Sequence, residues 1–175
     1  MRRALPIALV AVLALAAAYQ LVWRDTKVSG EVVGSRPVAT IGSGSEAVGV
    51  AADGTILRWL PLSEEVALPQ LPLSTPPDKE KLAGTLLAQA RVLGAAPEAL
   101  RPYIAGSYYG ETGVNVELRA GVELRFGDAS RLEKKWRAAA TVLADPSVTA
   151  ADYVNLHTPR RPSVYGSGHE LPPIP

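Results

Sequence analysis

The sequence predicts an α+β fold, in which an antiparallel or mixed β-sheet is covered by two helices and preceded by a single transmembrane helix. Three observations carry that prediction. Leu5 to Val22 runs for eighteen residues without a charge. Segments between Tyr103 and Gly127 alternate apolar and polar residues, which is the period of a half-buried strand. Two others, after Asp78 and after Ser130, repeat apolar residues at helical spacing.

The first element is just long enough to span a membrane, since about 20 apolar residues cross a bilayer core as a helix. Tyr19 and Trp23 suit the interfacial belt. Arg2 and Arg3 precede the run while Arg24 after it is offset by Asp25, so the N-terminus is expected in the cytoplasm. Residues 1–4 are then a cytoplasmic end, 5–23 an anchor and everything after it extracytoplasmic. Ala16, Ala17 and Ala18 also offer a signal-peptidase site. Apolar residues continue past that triplet to Trp23, which favours an uncleaved anchor.

A connector over residues 24–35 leads to the strand-like Arg36–Ile41, and Gly42 to Ser45 reads as a turn. Glu46–Leu60 reads as a hairpin in which Asp53-Gly54 turns between Val48–Val50 and Thr55–Trp59. Pro61–Asp78 is too rich in proline for a sheet interior and is expected to run extended along the surface. Asp78, following Pro76 and Pro77, is expected to cap a helix carrying Leu82, Leu86, Leu87, Ala90 and Leu93, which Gly94 stops. Pro97–Leu100 adds a short helical turn.

Tyr103–Tyr109, Gly113–Ala120 and Gly121–Gly127 then form the clearest sheet, with Val114, Val116, Leu118, Val122, Leu124 and Phe126 on one face. One face is apolar and one wet, so the sheet is covered on a single side. The cover is the helix after Ser130, where Ser130 and Glu133 have capping-box spacing. Leu132, Trp136, Ala139, Ala140 and Leu143 fall on its apolar face, and Glu133, Lys134, Lys135 and Arg137 mainly on the other. Asp145-Pro146 ends it. Tyr153–His157 is the closing strand, cut off after Thr158 by Pro159 and Pro162. Alternation alone leaves two readings of that strand, a core strand or an edge open to another chain.

Composition narrows the function. Eighteen Lys+Arg against seventeen Asp+Glu give a net charge of +1 with no basic stripe, so no nucleic-acid partner is expected. Cysteine is absent, which removes disulfides, thiolate nucleophiles and Cys-based metal sites. Of the two histidines, His157 would have to carry a metal or hydrolase site nearly alone, because His169 lies in a Gly/Pro-rich tail. The Gly/Ser run from Gly42 lacks the Gly-Lys-Ser/Thr ending of a phosphate loop. Glu117, Glu123, Asp128 and Glu133 are the carboxylates an envelope hydrolase would use, but Glu117 and Glu123 lie on polar strand phases. Trp59 and Trp136 read as core or boundary residues, and Tyr108 and Tyr109 point to opposite sheet faces. No catalysis, cofactor, metal or small-molecule substrate is expected; the alternative to a partner-binding protein is an anchored or secreted ligand-binding module.

Several of these stretches, in this order, resemble the β domain of the bacterial cell-division family FtsQ, also called DivIB. "RPVATIGSGSEAVGVAADGTILRW" is similar to its first strand and Asp-Gly hairpin, and "LPQLPL" to the proline-flanked segment that follows. "VELRAGVELRFGDASRLEKKWRAAATVLADP" resembles its hairpin and lysine-bearing helix, and "YVNLHTPRRPSV" its last strand and exit. The resemblance implies an extracytoplasmic β domain over residues 36–165, followed by a Pro/Gly-rich tail over 166–175. It departs from the family at residues 24–35, where members have a POTRA domain associated with recruitment to the division site.

The resemblance also implies a role: a non-catalytic, single-pass scaffold of the inner membrane at the division septum, helping to control septal peptidoglycan synthesis. Its partners would be FtsB-like and FtsL-like single-span proteins, the first of them adding a strand to the domain's last strand. Carried over by position, that strand is Tyr153, Val154, Asn155, Leu156, His157 and Thr158, with Val164 and Tyr165 flanking the joint. Some members have an arginine-tyrosine pair where His157 and Thr158 stand.

Overall fold

A computed structural model describes residues 36–62 and 67–173, all within the compact unit Gly34–Pro175. The expected cytoplasmic end, anchor, cleavage site and connector lie outside the described residues. Among the described residues, no helix is long and apolar enough to cross a membrane.

The domain is α+β. Strands β1 (Pro37–Ile41), β2 (Val48–Ala51) and β3 (Ile56–Leu57) form one antiparallel sheet in that order. Helix α1 (Gly84–Gly94) and a 3-10 turn (Glu98–Tyr103) follow. Strands β4 (Ile104–Gly110), β5 (Gly113–Leu118), β6 (Glu123–Gly127), β7 (Tyr153–Asn155) and β8 (Ser163–Tyr165) form a second sheet in chain order. Helix α2 (Leu132–Leu143) crosses between β6 and β7, which are therefore parallel; every other neighbouring pair in this sheet is antiparallel. A crossover helix is what a parallel connection requires.

The two sheets join through one residue. Thr40 in β1 donates its N–H to the carbonyl of Pro69 and accepts the Leu71 N–H, both at 2.9 Å. On the other side Gln70 donates to Ala105 at 3.2 Å, and its carbonyl accepts the Ser107 N–H at 3.3 Å. The proline-rich segment thus lies inside the sheet after all. It can do so because a single residue carries both bonds toward β4, so neither Pro69 nor Pro72 has to donate. Gly106 makes the approach possible, since a Cβ there would stand 2.8 Å from the Gln70 carbonyl oxygen.

Both helices cover the apolar face. Val114, Val116, Leu124, Phe126, Val154 and Leu156 are fully buried beneath them. Trp136 of α2 packs its ring 4.7 Å from that of Phe126 and donates its indole N–H to the Val92 carbonyl of α1 at 2.8 Å. Trp59, by contrast, is 70% exposed and is not a core residue.

Both helix starts differ from the sequence reading. Helix α1 begins at Gly84 rather than near Asp78, because the residues between are committed to the β2–β3 hairpin. Ile56 donates to Glu80 and Leu82 to Gly54, both at 2.8 Å, while Lys81 pairs with Asp53 at 2.6 Å. Helix α2 has no capping box: the Ser130 hydroxyl donates to Asp128 at 2.8 Å, and the N-cap is Arg131 at φ 51°. The Gly/Pro-rich tail is held in place rather than loose. Ala151 donates to the His169 carbonyl at 2.8 Å, Leu171 to Thr149 at 3.1 Å and the Tyr103 hydroxyl to Pro173 at 2.7 Å.

Replacing Gln70 by proline removes the donor to Ala105 and orphans that carbonyl, so it should cost about 2 to 3 kcal/mol. Pro72→Ala, which breaks no sheet bond, should cost about 1 kcal/mol or less. Urea unfolding followed by circular dichroism measures both; equal losses would mean that Gln70 does not join the sheets.

Candidate partner-binding edge

The structure corrects the position of the closing edge. Tyr153–Asn155 is an interior strand, paired with β6 on one side and with β8 on the other. Val154 and Leu156 are fully buried, so these two side chains belong to the core and cannot meet another chain. His157 and Thr158 lie in the loop that follows. The strand ends at Asn155, before Pro159 and Pro162 are reached, and the chain then turns back, with Arg161 donating to the Thr158 carbonyl at 2.9 Å. The terminal strand it forms is Ser163–Tyr165, bringing the expected flanking residues Val164 and Tyr165 to the edge itself.

Strand alternation sets which groups face outward. Asp152 accepts the Glu123 N–H at 3.0 Å and Leu156 donates to Arg125 at 2.9 Å, so the even residues of β7 face β6. Val154 shares their phase. Tyr153 and Asn155 therefore face β8, where their register partners are Tyr165 and Ser163. By the same alternation the N–H and C=O of Val164 point away from the sheet. Pro162, just before the strand, has no N–H to offer.

The two ends of the sheet are not equivalent. Beyond β3, the chain's own Glu80–Leu82 segment bonds to Ile56 and Gly54 and covers that edge. Among the described residues, strand β8 pairs only with β7, and Val164 and Tyr165 are 36% and 46% exposed.

Behind the edge, the open sheet face carries a connected row of side chains. Tyr108 on β4 donates its hydroxyl to Glu123 on β6, and Glu123 also takes the Arg125 guanidinium at 2.9 Å. Burial, followed by the Glu123 carboxylate beside it, raises the Tyr108 pKa above 10.0. Arg125 lies 3.5 Å from the centroid of the Tyr153 ring, and Tyr153 stacks on Tyr165 with centroids 4.7 Å apart and planes at 16°.

At the far end of β6 sits a charged corner that the sequence did not disclose. Lys135, expected on the solvated side of α2, is 1% exposed and donates to the Phe126 and Asp128 carbonyls at 2.7 and 2.8 Å. Its ammonium also meets the Asp128 carboxylate at 2.5 Å. That hydrogen bond, with a second from Ser130, holds the Asp128 carboxyl at about 2 instead of 3.8. Next to it the His157 ring packs so closely on Gly127 that a Cβ there would lie 2.8 Å away. The His157 Nε2 is buried without a hydrogen-bond partner among the described residues.

The four carboxylates do not share a pocket. Glu117 lines a shallow groove with Gln70, Gly106 and Tyr108 that none of the other three borders. Glu123 is held by Tyr108 and Arg125 and Asp128 by Lys135, while Glu133 is exposed in the first turn of α2. A cavity of about 570 Å³ lies at the start of β1, bounded by Arg36, Val38, Leu60, Leu62, Leu93 and Arg101 among others. No family model matches the chain, and no curated protein matches it.

The charged corner sets an acid limit. Asp128, and Asp53 held at about 2 by its bonds to Lys81 and Thr55, are both depressed from 3.8. Stability from a depressed carboxylate is complete above the unfolded value and is lost as pH falls through the folded one. The melting temperature should therefore fall between pH 4 and 2, the window between those folded and unfolded values. Both carboxylates are largely exposed, so each contributes at most about 1 kcal/mol. Asp128→Asn should flatten part of the fall in a thermal scan; an unchanged profile would show that the pair adds nothing.

Proposed function

We propose that this chain is a non-catalytic, membrane-anchored scaffold of the bacterial cell-division machinery, working by strand addition at β8. Its partners are FtsB-like and FtsL-like single-span proteins, and through them it helps control septal peptidoglycan synthesis. Residues 5–23 anchor it in the inner membrane with the N-terminus in the cytoplasm, leaving the domain outside at the septum.

The observation that carries this reading is the asymmetry of the sheet. One edge is covered by the chain itself, and among the described residues the other ends in a strand bonded on a single side. An open edge is a hazard to a protein that has no use for it, because any extended chain can pair there. Keeping β8 to three residues, directly after Pro162, limits that hazard and leaves a short template for a chosen partner.

A three-residue template supplies few backbone bonds, so side chains beside it must provide much of the affinity. Val164 and Tyr165 are the exposed large apolar residues of that strand. Changes at either should act mainly on the dissociation rate.

The position of β8 gives a sharp pair of variants. In Val164→Pro the lost N–H faces outward, so the domain should keep its fold while an added strand loses its donor. In Val154→Pro the lost N–H faces β6 within the sheet, so the domain itself should be destabilised by about 3 kcal/mol or more. The test is co-purification of the full chain in detergent with the host's FtsB-like and FtsL-like proteins, with circular dichroism on each variant. Binding should be lost in a folded Val164→Pro protein. Retention of binding there, or no binding by the unmodified chain, would overturn the reading.

A further inference from the structure

We propose that Tyr165 is the specificity-determining contact of the β8 edge, and that the strand added there carries an arginine over the outer face of its ring. This rests on the strand-addition reading and deepens it by stating what the partner must present.

A stack of flat groups lies on the open sheet face. One flat group comes from each successive strand: Arg125 from β6, Tyr153 from β7 and Tyr165 from β8. The rings stand 4.7 Å apart, which is the spacing of neighbouring strands in a sheet. The stack is therefore in step with the ladder, and a further strand places its own side chain one spacing beyond Tyr165. Among the described residues nothing occupies that position, since Tyr165 is 46% exposed and belongs to the terminal strand.

The ladder also brings the two side chains close. Because the N–H and C=O of Val164 face outward, an antiparallel strand bonds at Val164, leaving Tyr165 in the adjacent non-hydrogen-bonded pair. In such pairs the Cα atoms approach to about 4.5 Å and the side chains lie nearer one another than in hydrogen-bonded pairs.

A guanidinium is the group that suits the vacant end. Ring faces are electron-rich and attract cations, arginine most often. At the inner end that demand is met by Arg125, whose own charge is balanced by Glu123 at 2.9 Å. Among the described residues the outer face of Tyr165 has no such cap. The nearby carboxylate is Asp152, adjacent in sequence to Tyr153 and tied to the Gly168 N–H at 2.7 Å, with its own N–H donating to the Tyr165 carbonyl at 2.8 Å. Arg160 and Arg161 belong to the loop at the opposite end of β8.

The test selects a displayed library of short peptides against the full chain in detergent, counter-selecting with Val164→Pro to retain peptides that use the edge. The expected result is enrichment of arginine at one fixed position. Exchanging that arginine for glutamine should weaken binding about three- to tenfold, the range a cation over a ring supports. Tyr165→Leu should weaken the arginine peptide by the same factor and leave the glutamine peptide unchanged, while Tyr165→Phe should bind as the unmodified chain does. The peptide exchange uses the unmodified protein, so it decides the matter even if Tyr165→Leu fails to fold. Edge-dependent peptides without an arginine preference, or with an aromatic preference there, would overturn the role given to Tyr165 and leave strand addition standing. A library yielding no peptide sensitive to Val164→Pro would overturn both.

Discussion

The arrangement of this domain depends on the backbone of Gln70. Without its bonds to β4, and those of its neighbours Pro69 and Leu71 to Thr40 of β1, the protein would be a separate three-stranded sheet and five-stranded sheet. With them, a continuous hydrogen-bonded surface runs from β3 to β8, and α1 can pack across the junction on β1, β2, β4 and β5. The junction is narrow: on the β4 side its backbone bonds are the two that Gln70 makes, and on the other it bonds at Thr40 and, through Leu73, at Gly42. Gly106 stands opposite because a parallel bridge this tight leaves no room for a side chain over the carbonyl.

The second constraint is the crossover from β6 to β7. Parallel pairing obliges the chain to leave one end of the sheet and return to the other, and α2 makes that passage. Its entry is held by the ammonium of Lys135, which collects two carbonyls and a carboxylate beneath the end of β6. A buried amine is costly unless its donors are satisfied, and here three acceptors meet three N–H groups. Trp136, one residue on, ties the same helix to α1 and to the core. The crossover is thus secured by neighbouring residues with opposite chemistry.

These two constraints decide what the edges can be. From Gln70 the first sheet extends as β1, β2, β3 and the second as β4 to β8, so β3 and β8 are the ends of the sheet. Hydrogen bonds from Ile56 and Leu82 close the first. At the second, the tail pairs with Ala151 and with Thr149, running past β8 without covering it. The open edge is a consequence of where the last residues go, and the aromatic stack behind Tyr165 gives it a chemical character.

Much of the domain was legible in the residues. Alternation located β4, β5 and β6 and their buried faces; the Asp53-Gly54 turn located the hairpin; helical periodicity located both helices and set Gly94 as the end of the first. These are local signals, carried by side chains that repeat in step with the backbone they occupy. The sequence by itself also showed that Tyr153 to His157 alternates as a strand, and Tyr153–Asn155 is one. Tertiary structure alone decided that this strand is interior, that the proline-rich segment joins two sheets, that Lys135 is buried and that Asp78 caps nothing. Each of these depends on which distant backbone group lies alongside: Thr40 and Ala105 for Gln70, Glu123 and Tyr165 for Tyr153, Gly54 and Ile56 for the residues after Asp78. A strand reads the same whether it has one neighbour or two, because its side-chain period records only the two faces of the sheet, and pairing runs perpendicular to both.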